Sequence, residues 1–229
     1  MEKYSKKFKT DGQDSPEKIL DMFMQTAKEE SDAKEEVQKF FKKNNLAWMI
    51  YKWKVDFLKE INTGECIVRT WPSYFDKISI YREFTITENY NLIAKATSVF
   101  VIVDMEKRKL IELPNIVKEN YHLINERNFI KIPRIVTKGQ GFNEVDFEVI
   151  KDQIDSNNHV HNTYYLSWIM EALPLNFKNK FLKTFSITYM KEILYSDHVK
   201  IKPFVEGENV SFLIKTNNIN AKCMCTFCD

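Results

Sequence analysis

The sequence predicts an α+β protein of two similar halves, each an antiparallel sheet packed against one helix. Three observations predict it. The hydrophobic period changes from helical to extended near Ala47. Turn signals such as Asn62-Thr63-Gly64 and Trp71-Pro72-Ser73 separate long runs rich in β-branched and aromatic residues. The order strand, helix, four strands then occurs a second time, so internal duplication explains the chain better than coincidence. Each half is long enough for the two-layer solution of one sheet on one helix.

In chain order, Lys3, Lys6, Lys7 and Lys9 read as a solvated edge strand, because lysines on an edge discourage pairing with another chain. Ser15-Pro16 opens a helix, a capping hydroxyl followed by proline at the first helical position. Ile19, Leu20, Phe23, Met24 and Ala27 recur at helical spacing and predict one buried stripe. Ala33 to Lys43 is a second amphipathic stretch that gathers Val37, Phe40 and Phe41, and Asn44-Asn45 ends it. Ala47–Leu58, Cys66–Trp71, Lys77–Thr87 and Leu92–Asp104 follow as strands. Glu106 to Arg134 is a charged connector broken by Pro114 and Pro133, with one short helix from Pro114 to Tyr121. Val145–Ile150 is a short strand, a helix starts at Asn162, and Phe185–Glu192, Val199–Val205, Val210–Thr216 and Ile219–Phe227 complete the second set. The expected boundaries are residues 1–137, including the connector 105–137, and residues 138–229.

Composition narrows the function. A net charge of +2 argues against a protein that binds nucleic acid mainly by neutralising phosphates. No secretory leader and no apolar run of membrane-spanning length are visible, so a soluble, cytoplasmic protein is expected. Cys66 is remote from Cys223, Cys225 and Cys228, and free thiols fit that compartment. Cys223 and Cys225 fall on one face of a strand and Cys228 on the other, which suits buried strand cysteines better than zinc. With only five glycines there is no Gly-x-Ser-x-Gly elbow, phosphate loop or dinucleotide fingerprint, and the chemistries that need them lose ground.

The chemically dense stretch is Asp155-Ser-Asn-Asn-His-Val-His-Asn162. Asp155, Asn157 and His159 bring an acid, an amide and an imidazole together just before a helix that can hold the loop and present unpaired backbone N–H groups. Without context, Asp-Ser-Asn-Asn is an ordinary turn. Zinc held by His159, His161 and Asp155 is a weaker alternative, and no metal is expected. Glu192, in Tyr189-Met-Lys-Glu192-Ile-Leu, is a second candidate whose bland reading is a charge paired with Lys191 or Lys200. Tyr165 and Trp168 read as core. The first half has no matching loop, since Asp11-Gly12-Gln13-Asp14 lacks a histidine.

The pattern Asp155-x-Asn157-x-His159-Val160-x-Asn162-x-x-Tyr165-x-x-Trp168, with Tyr189-x-x-Glu192 downstream, resembles the acyl-acyl carrier protein thioesterases. Trp48, Thr70-Trp71-Pro72, Arg82-Glu83-Phe84, Ala96-Thr97-Ser98 and Asp104 extend the resemblance through the first half. It implies two tandem hotdog domains, each an antiparallel sheet wrapped around a long central helix, and no cofactor. It also implies that Asp155, Asn157, His159 and Glu192 are catalytic and that Asn162 contacts substrate. Met24, Trp48, Met49, Tyr51 and Trp53, with Met22 and Phe23, would line an acyl tunnel, against the plainer reading of core packing. The partner implied is acyl carrier protein, docked through its acyl-phosphopantetheine arm beside a basic rim of Lys178, Lys180, Lys183 or Arg134. Oligomeric state, a homodimer included, is left open.

Three positions depart from the family pattern: His161 for asparagine, Phe100 for tryptophan, and Ile193 where plant members carry cysteine after the glutamate. With no thiol at Ile193, the attacking group is water or the glutamate itself. A thiolate whose conjugate acid has a pKa of about 8.5 leaves with little proton help, so the enzyme mainly has to activate water and stabilise an oxyanion. Glu192 is the expected general base. Partial burial can raise such a carboxyl toward neutrality. Asn157, His159 and a backbone N–H near Asn162 would polarise the carbonyl, and Asp155 would orient His159 or Asn157. Two other readings stay open: an acyl-CoA thioesterase, and a non-catalytic acyl-binding sensor.

Overall fold

The computed structural model describes residues 2–12, 15–155 and 158–229, which fall into two compact units. The first holds most of the chain up to Lys131 and the second most of Ile132–Asp229, together with Ser15–Lys18 and Lys54–Phe57.

In the first unit, β1 (Tyr4–Asp11) precedes α1 (Pro16–Asp32) and α2 (Glu35–Lys43). The strands β2 (Leu46–Phe57), β3 (Thr63–Phe75), β4 (Ser79–Glu88) and β5 (Asn91–Asp104) follow, in the sheet order β1-β3-β4-β5-β2. β1 pairs antiparallel with β3 and carries the N-terminal lysines along the edge, as its composition predicts. The short β6 (Lys109–Ile111) extends β5, and α3 (Asn115–Asn120) lies in the connector.

The apolar stripe of α1 is buried through Ile19, Leu20, Met22, Phe23 and Ala27. Phe23 meets Phe84 of β4 with ring centroids 5.1 Å apart and Trp53 of β2 at 6.3 Å, while Trp53 and Phe84 are 5.2 Å apart. This aromatic trio seats the helix on the sheet, and each such side chain removed from water contributes roughly 1.5–3 kcal/mol. Arg82 of β4 forms a buried ion pair with Glu30 of α1. Next to it, Glu83 is fully buried and accepts hydrogen bonds from Ser73 Oγ at 2.6 Å, from the Asn128 N–H at 3.0 Å and from Thr97 Oγ1.

In the second unit, β7 (Gln140–Gly141), β8 (Val145–Glu148) and a 3-10 turn over Lys151–Gln153 lead to α4 (Asn162–Glu171). β9 (Phe181–Tyr189), β10 (His198–Glu206), β11 (Asn209–Lys215) and β12 (Ile219–Cys228) complete it. The order is β8-β10-β11-β12-β9, with β7 also pairing with β10. Taking β8 as the counterpart of β1 and β9 to β12 as those of β2 to β5, the two units share one strand order. The duplication read from the linear order is therefore also a duplication of topology. α4 packs through Trp168 on Phe147 of β8 and Tyr165 on Tyr189 of β9, at 5.9 and 5.0 Å between centroids.

Three local expectations change. β3 runs on through Pro72 to Phe75 instead of ending at Trp71. β1 stops opposite Thr70, so the far end of β3 is an edge, and a proline without an N–H breaks no ladder bond there. The strand expected over Phe185–Glu192 begins at Phe181 and ends at Tyr189, which leaves Glu192 in a loop. The helix of the second unit is ten residues, not long. Cys223 and Cys225 are buried side by side, Cys228 is half-buried, and all four cysteines are free thiols.

Candidate active site

The polar loop closes on itself. After the 3-10 turn, Ile154 bridges to Val160, and His159 bridges to Leu194 beyond β9. Asp155 ties the loop from both ends of its own residue. Its N–H donates to the His159 carbonyl at 2.8 Å, its carbonyl accepts the Asn158 N–H at 3.1 Å, and its Oδ1 accepts the His159 backbone N–H at 3.1 Å. Asn158 turns the chain at φ 70°, a left-handed conformation that asparagine tolerates because its short amide can bond locally. The Asp155 carboxylate thus meets His159 at its backbone N–H.

The Val160 N–H donates to the Ile193 carbonyl at 3.0 Å and fastens the loop to the segment after β9. This brings His159 Nε2 to 3.1 Å from Glu192 Oε2, two residues separated by 32 intervening positions in sequence. The imidazole side chain is 12% exposed and the carboxylate 40%, so the histidine is sunk while the glutamate stands at the rim. A neutral imidazole that donates from Nε2 satisfies this pair without burying a charge.

The loop that carries Glu192 is fixed from β12. The Asn220 carbonyl accepts the N–H groups of Met190 and Lys191 at 2.7 and 3.1 Å, and Asn220 Nδ2 donates to the Glu192 carbonyl at 2.8 Å. Asn220 Oδ1 in turn accepts the Thr216 N–H at 2.7 Å. Asp197 Oδ2 accepts the Leu194 N–H at 2.9 Å and closes the turn that follows. Neither residue stands out in the sequence. Asn220 breaks the inward alternation of Ala221, Cys223, Cys225 and Phe227, so periodicity alone assigns it no role.

At the start of α4, His161 is the residue before the helix. Its carbonyl accepts the Tyr164 N–H at 3.0 Å, its N–H donates to Gln153 at 2.8 Å, and its Nδ1 lies 2.8 Å from Thr163 Oγ1. The ring is engaged with the first turn of the helix. Among the described residues no group of three or more His, Cys, Asp or Glu is placed to hold a metal ion. Asn162 is half-buried and its carbonyl accepts the Tyr189 hydroxyl at 3.3 Å. Tyr165 and Trp168 are core residues, each 3% exposed. Burial pushes the Tyr165 phenol well above its ordinary value, with Asp197 and Glu192 adding to the shift. Ile193 is buried beside Glu192 and carries no nucleophile. Asn157 lies outside the described residues.

In the first unit, Met24, Trp48 and Met49 are half-buried and Tyr51 is exposed. Trp53 is 1% exposed within the aromatic trio, the core packing that was the plainer reading. Of the basic rim, Lys180 is paired with Asp229, while Lys178, Lys183 and Arg134 are exposed. No helix among the described residues is long and apolar enough to cross a membrane.

Comparison with known proteins bears on the family and the fold. Residues 4–121 match the acyl-ACP thioesterase N-terminal domain and residues 137–227 the C-terminal domain. Oleoyl-acyl carrier protein thioesterase 1 of Arabidopsis thaliana is 21% identical over 174 residues, covering 69% of this chain and 48% of that protein. An acyl-acyl carrier protein hydrolase of Cuphea viscosissima is 25% identical over 142 residues, covering 58% and 34%. The chain therefore spans about half the length, or less, of these plant relatives. The fold is that of the acyl-ACP thioesterase from Bacteroides thetaiotaomicron, with a TM-score of 0.84, 17% identity and coverage of 97% of this chain and 96% of that one. It is also that of the 12:0-ACP thioesterase from Umbellularia californica, with a TM-score of 0.86, 14% identity and coverage of 98% and 96%. Two tandem hotdog domains, assembled from one repeated strand order and matched over both halves, place this chain in the acyl-ACP thioesterase family.

Proposed function

We propose that this protein hydrolyses fatty acyl thioesters of acyl carrier protein to the free acid and the carrier thiol. The observation that carries the reading is the His159–Glu192 pair, 3.1 Å apart, formed between the loop that runs into the N-terminus of α4 and the loop after β9, with no cysteine beside the glutamate. Membership in the family supports the substrate class.

In this reading Glu192 removes a proton from water as the water oxygen bonds to the thioester carbon. His159 holds the carboxylate in place and the proton on its own Nε2. The developing oxyanion is met by a backbone N–H near Asn162 at the start of α4, and by Asn157. The C–S bond then breaks, the thiolate departs, and the proton on Glu192 returns to it or to solvent. Asp155 keeps His159 in register through the backbone. Met24, Trp48 and Met49 are the candidates of the first unit for contact with the acyl chain, and Lys178, Lys183 and Arg134 for the carrier.

The test is steady-state hydrolysis of one acyl chain carried by acyl carrier protein and by CoA, run in water enriched in 18O. The expected result is a higher kcat/KM on the carrier protein and one labelled oxygen in each released acid. A clear preference for CoA replaces the substrate assignment. Tight binding of acyl carrier without turnover replaces the enzyme by a sensor. Label appearing in a Glu192 peptide after many turnovers makes the glutamate the nucleophile.

A further inference from the structure

The duplication supplies an internal control for the part of the site that the family pattern does not contain. After β2 the chain reads Leu58-Lys59-Glu60-Ile61, and after β9 it reads Met190-Lys191-Glu192-Ile193. Both isoleucines are buried, at 4% and 1% exposure. In the first unit the N–H groups of Leu58 and Lys59 both donate to the Ile93 carbonyl of β5, at 2.8 and 3.2 Å. In the second the N–H groups of Met190 and Lys191 both donate to the Asn220 carbonyl of β12, at 2.7 and 3.1 Å. β5 neighbours β2 as β12 neighbours β9, so Ile93 and Asn220 occupy the same place in the two halves.

The forked backbone bond therefore belongs to the fold, since it forms in both units whatever side chain stands there. The side chain is what differs. Ile93 is buried and apolar; Asn220 is equally buried, at 2%, and brings an amide into a place where its counterpart has a hydrocarbon. A buried amide is costly unless its hydrogen bonds are made, and here they are. Nδ2 donates to the Glu192 carbonyl at 2.8 Å, and Oδ1 accepts the Thr216 N–H at 2.7 Å. Glu60 is exposed, and the loop before α1 has no histidine to meet it. The amide thus occurs only in the half where the glutamate has an imidazole partner.

We infer that Asn220 is a positioning residue for Glu192: its side-chain amide fixes the Glu192 carbonyl, and so the direction in which the carboxylate leaves the chain toward His159. The inference rests on the reading of Glu192 as the proton acceptor. With hydrocarbon at position 220 the forked bond remains but the Glu192 peptide can rotate, and small misplacements of a base cost catalysis more than binding.

The experiment is a double-mutant cycle of Asn220→Ile, which copies the first half, with Glu192→Gln, measuring kcat and KM on an acyl carrier thioester. Asn220→Ile is expected to lower kcat about tenfold or more with KM changed less than about twofold. In the Glu192→Gln background it should change kcat by less than about twofold, because nothing is left to position. An equal loss in both backgrounds overturns the inference, as Asn220 would then act apart from Glu192. If Asn220→Ile has no melting transition, Asn220→Asp takes its place in the cycle. It keeps the size and the acceptor for Thr216 but not the amide donor, and wild-type kcat in it overturns the inference. Loss of turnover in Glu192→Gln with wild-type kcat in the Asn220 variants removes only the positioning role. Wild-type turnover in Glu192→Gln removes the proton-acceptor reading, and the inference with it.

Discussion

His159 Nε2 and Glu192 Oε2 are 3.1 Å apart, although 32 residues separate them in the chain. Two backbone links make the pair: Val160 N–H to the Ile193 carbonyl, and the bridge between His159 and Leu194. The loop before α4 and the loop after β9 are in effect one short antiparallel ladder, with His159 opposite Leu194 and the imidazole reaching diagonally to the Glu192 carboxylate.

If Glu192 accepts the proton of water, removing its charge at constant size should cost the chemical step and spare binding. Glu192→Gln is expected to lower kcat by about 100- to 10,000-fold, the usual range for a general base, with KM nearly unchanged. His159→Ala should fall in the same direction. A large rise in KM with unaltered kcat in either variant would instead mark the pair as a binding contact.

Asp155 meets His159 through a backbone N–H, so what the loop needs from it is an acceptor oxygen more than a charge. Asp155→Asn keeps an oxygen at that place and should retain kcat within about tenfold, whereas Asp155→Ala loses the bond and should fall further, by about 1–3 kcal/mol of lost loop order. Comparison of kcat for the two variants decides the point. Equal losses would give the carboxylate charge itself a role.

Glu83 is remote from this chemistry in sequence and bears on stability. Burial raises its carboxyl above the ordinary 4.5, against the opposing hydrogen bonds of Ser73, Thr97 and the Asn128 N–H. The folded chain therefore holds this proton at pH values where the unfolded chain has released it. The resulting stabilisation is complete below the unfolded value and is lost as pH rises through the folded one. Glu83→Gln stays neutral, so its melting temperature relative to wild type should climb between pH 4.5 and neutrality. A difference that shrinks over that range would contradict the assignment.

Phe84 fills the centre of the trio with Phe23 and Trp53 and is fully buried. Phe84→Ala leaves a cavity that a helix seated on a sheet cannot close, and should cost about 3–5 kcal/mol in urea unfolding. A loss below about 1 kcal/mol would mean that the site collapses freely and that the trio is loosely packed.

Much of this protein was legible in the sequence because the signals were local. The Ile19, Leu20 and Phe23 stripe, the proline at the start of α1 and the alternation along β12 each depend on residues within one element, where period and turn chemistry decide the outcome. The repeated order of elements was likewise visible as order. Expectations failed where an element answers to a neighbour: Pro72 sits inside β3 because β1 ends opposite Thr70, and Glu192 leaves the strand because Asn220 captures Met190 and Lys191.

By itself, then, the sequence determined the fold class and the duplication and singled out Asp155, Asn157 and His159 as a dense polar cluster, while Glu192 stood out only through the family resemblance. It could not show that Asp155 reaches His159 through the backbone, that His161 is bound to Thr163, or that an asparagine of β12 holds the Glu192 carbonyl. Those are contacts between segments far apart in the chain, and no period records them. Only strand pairing brings their donors and acceptors within hydrogen-bond distance, and in the half that lacks the histidine the same pairing places Ile93 where Asn220 stands.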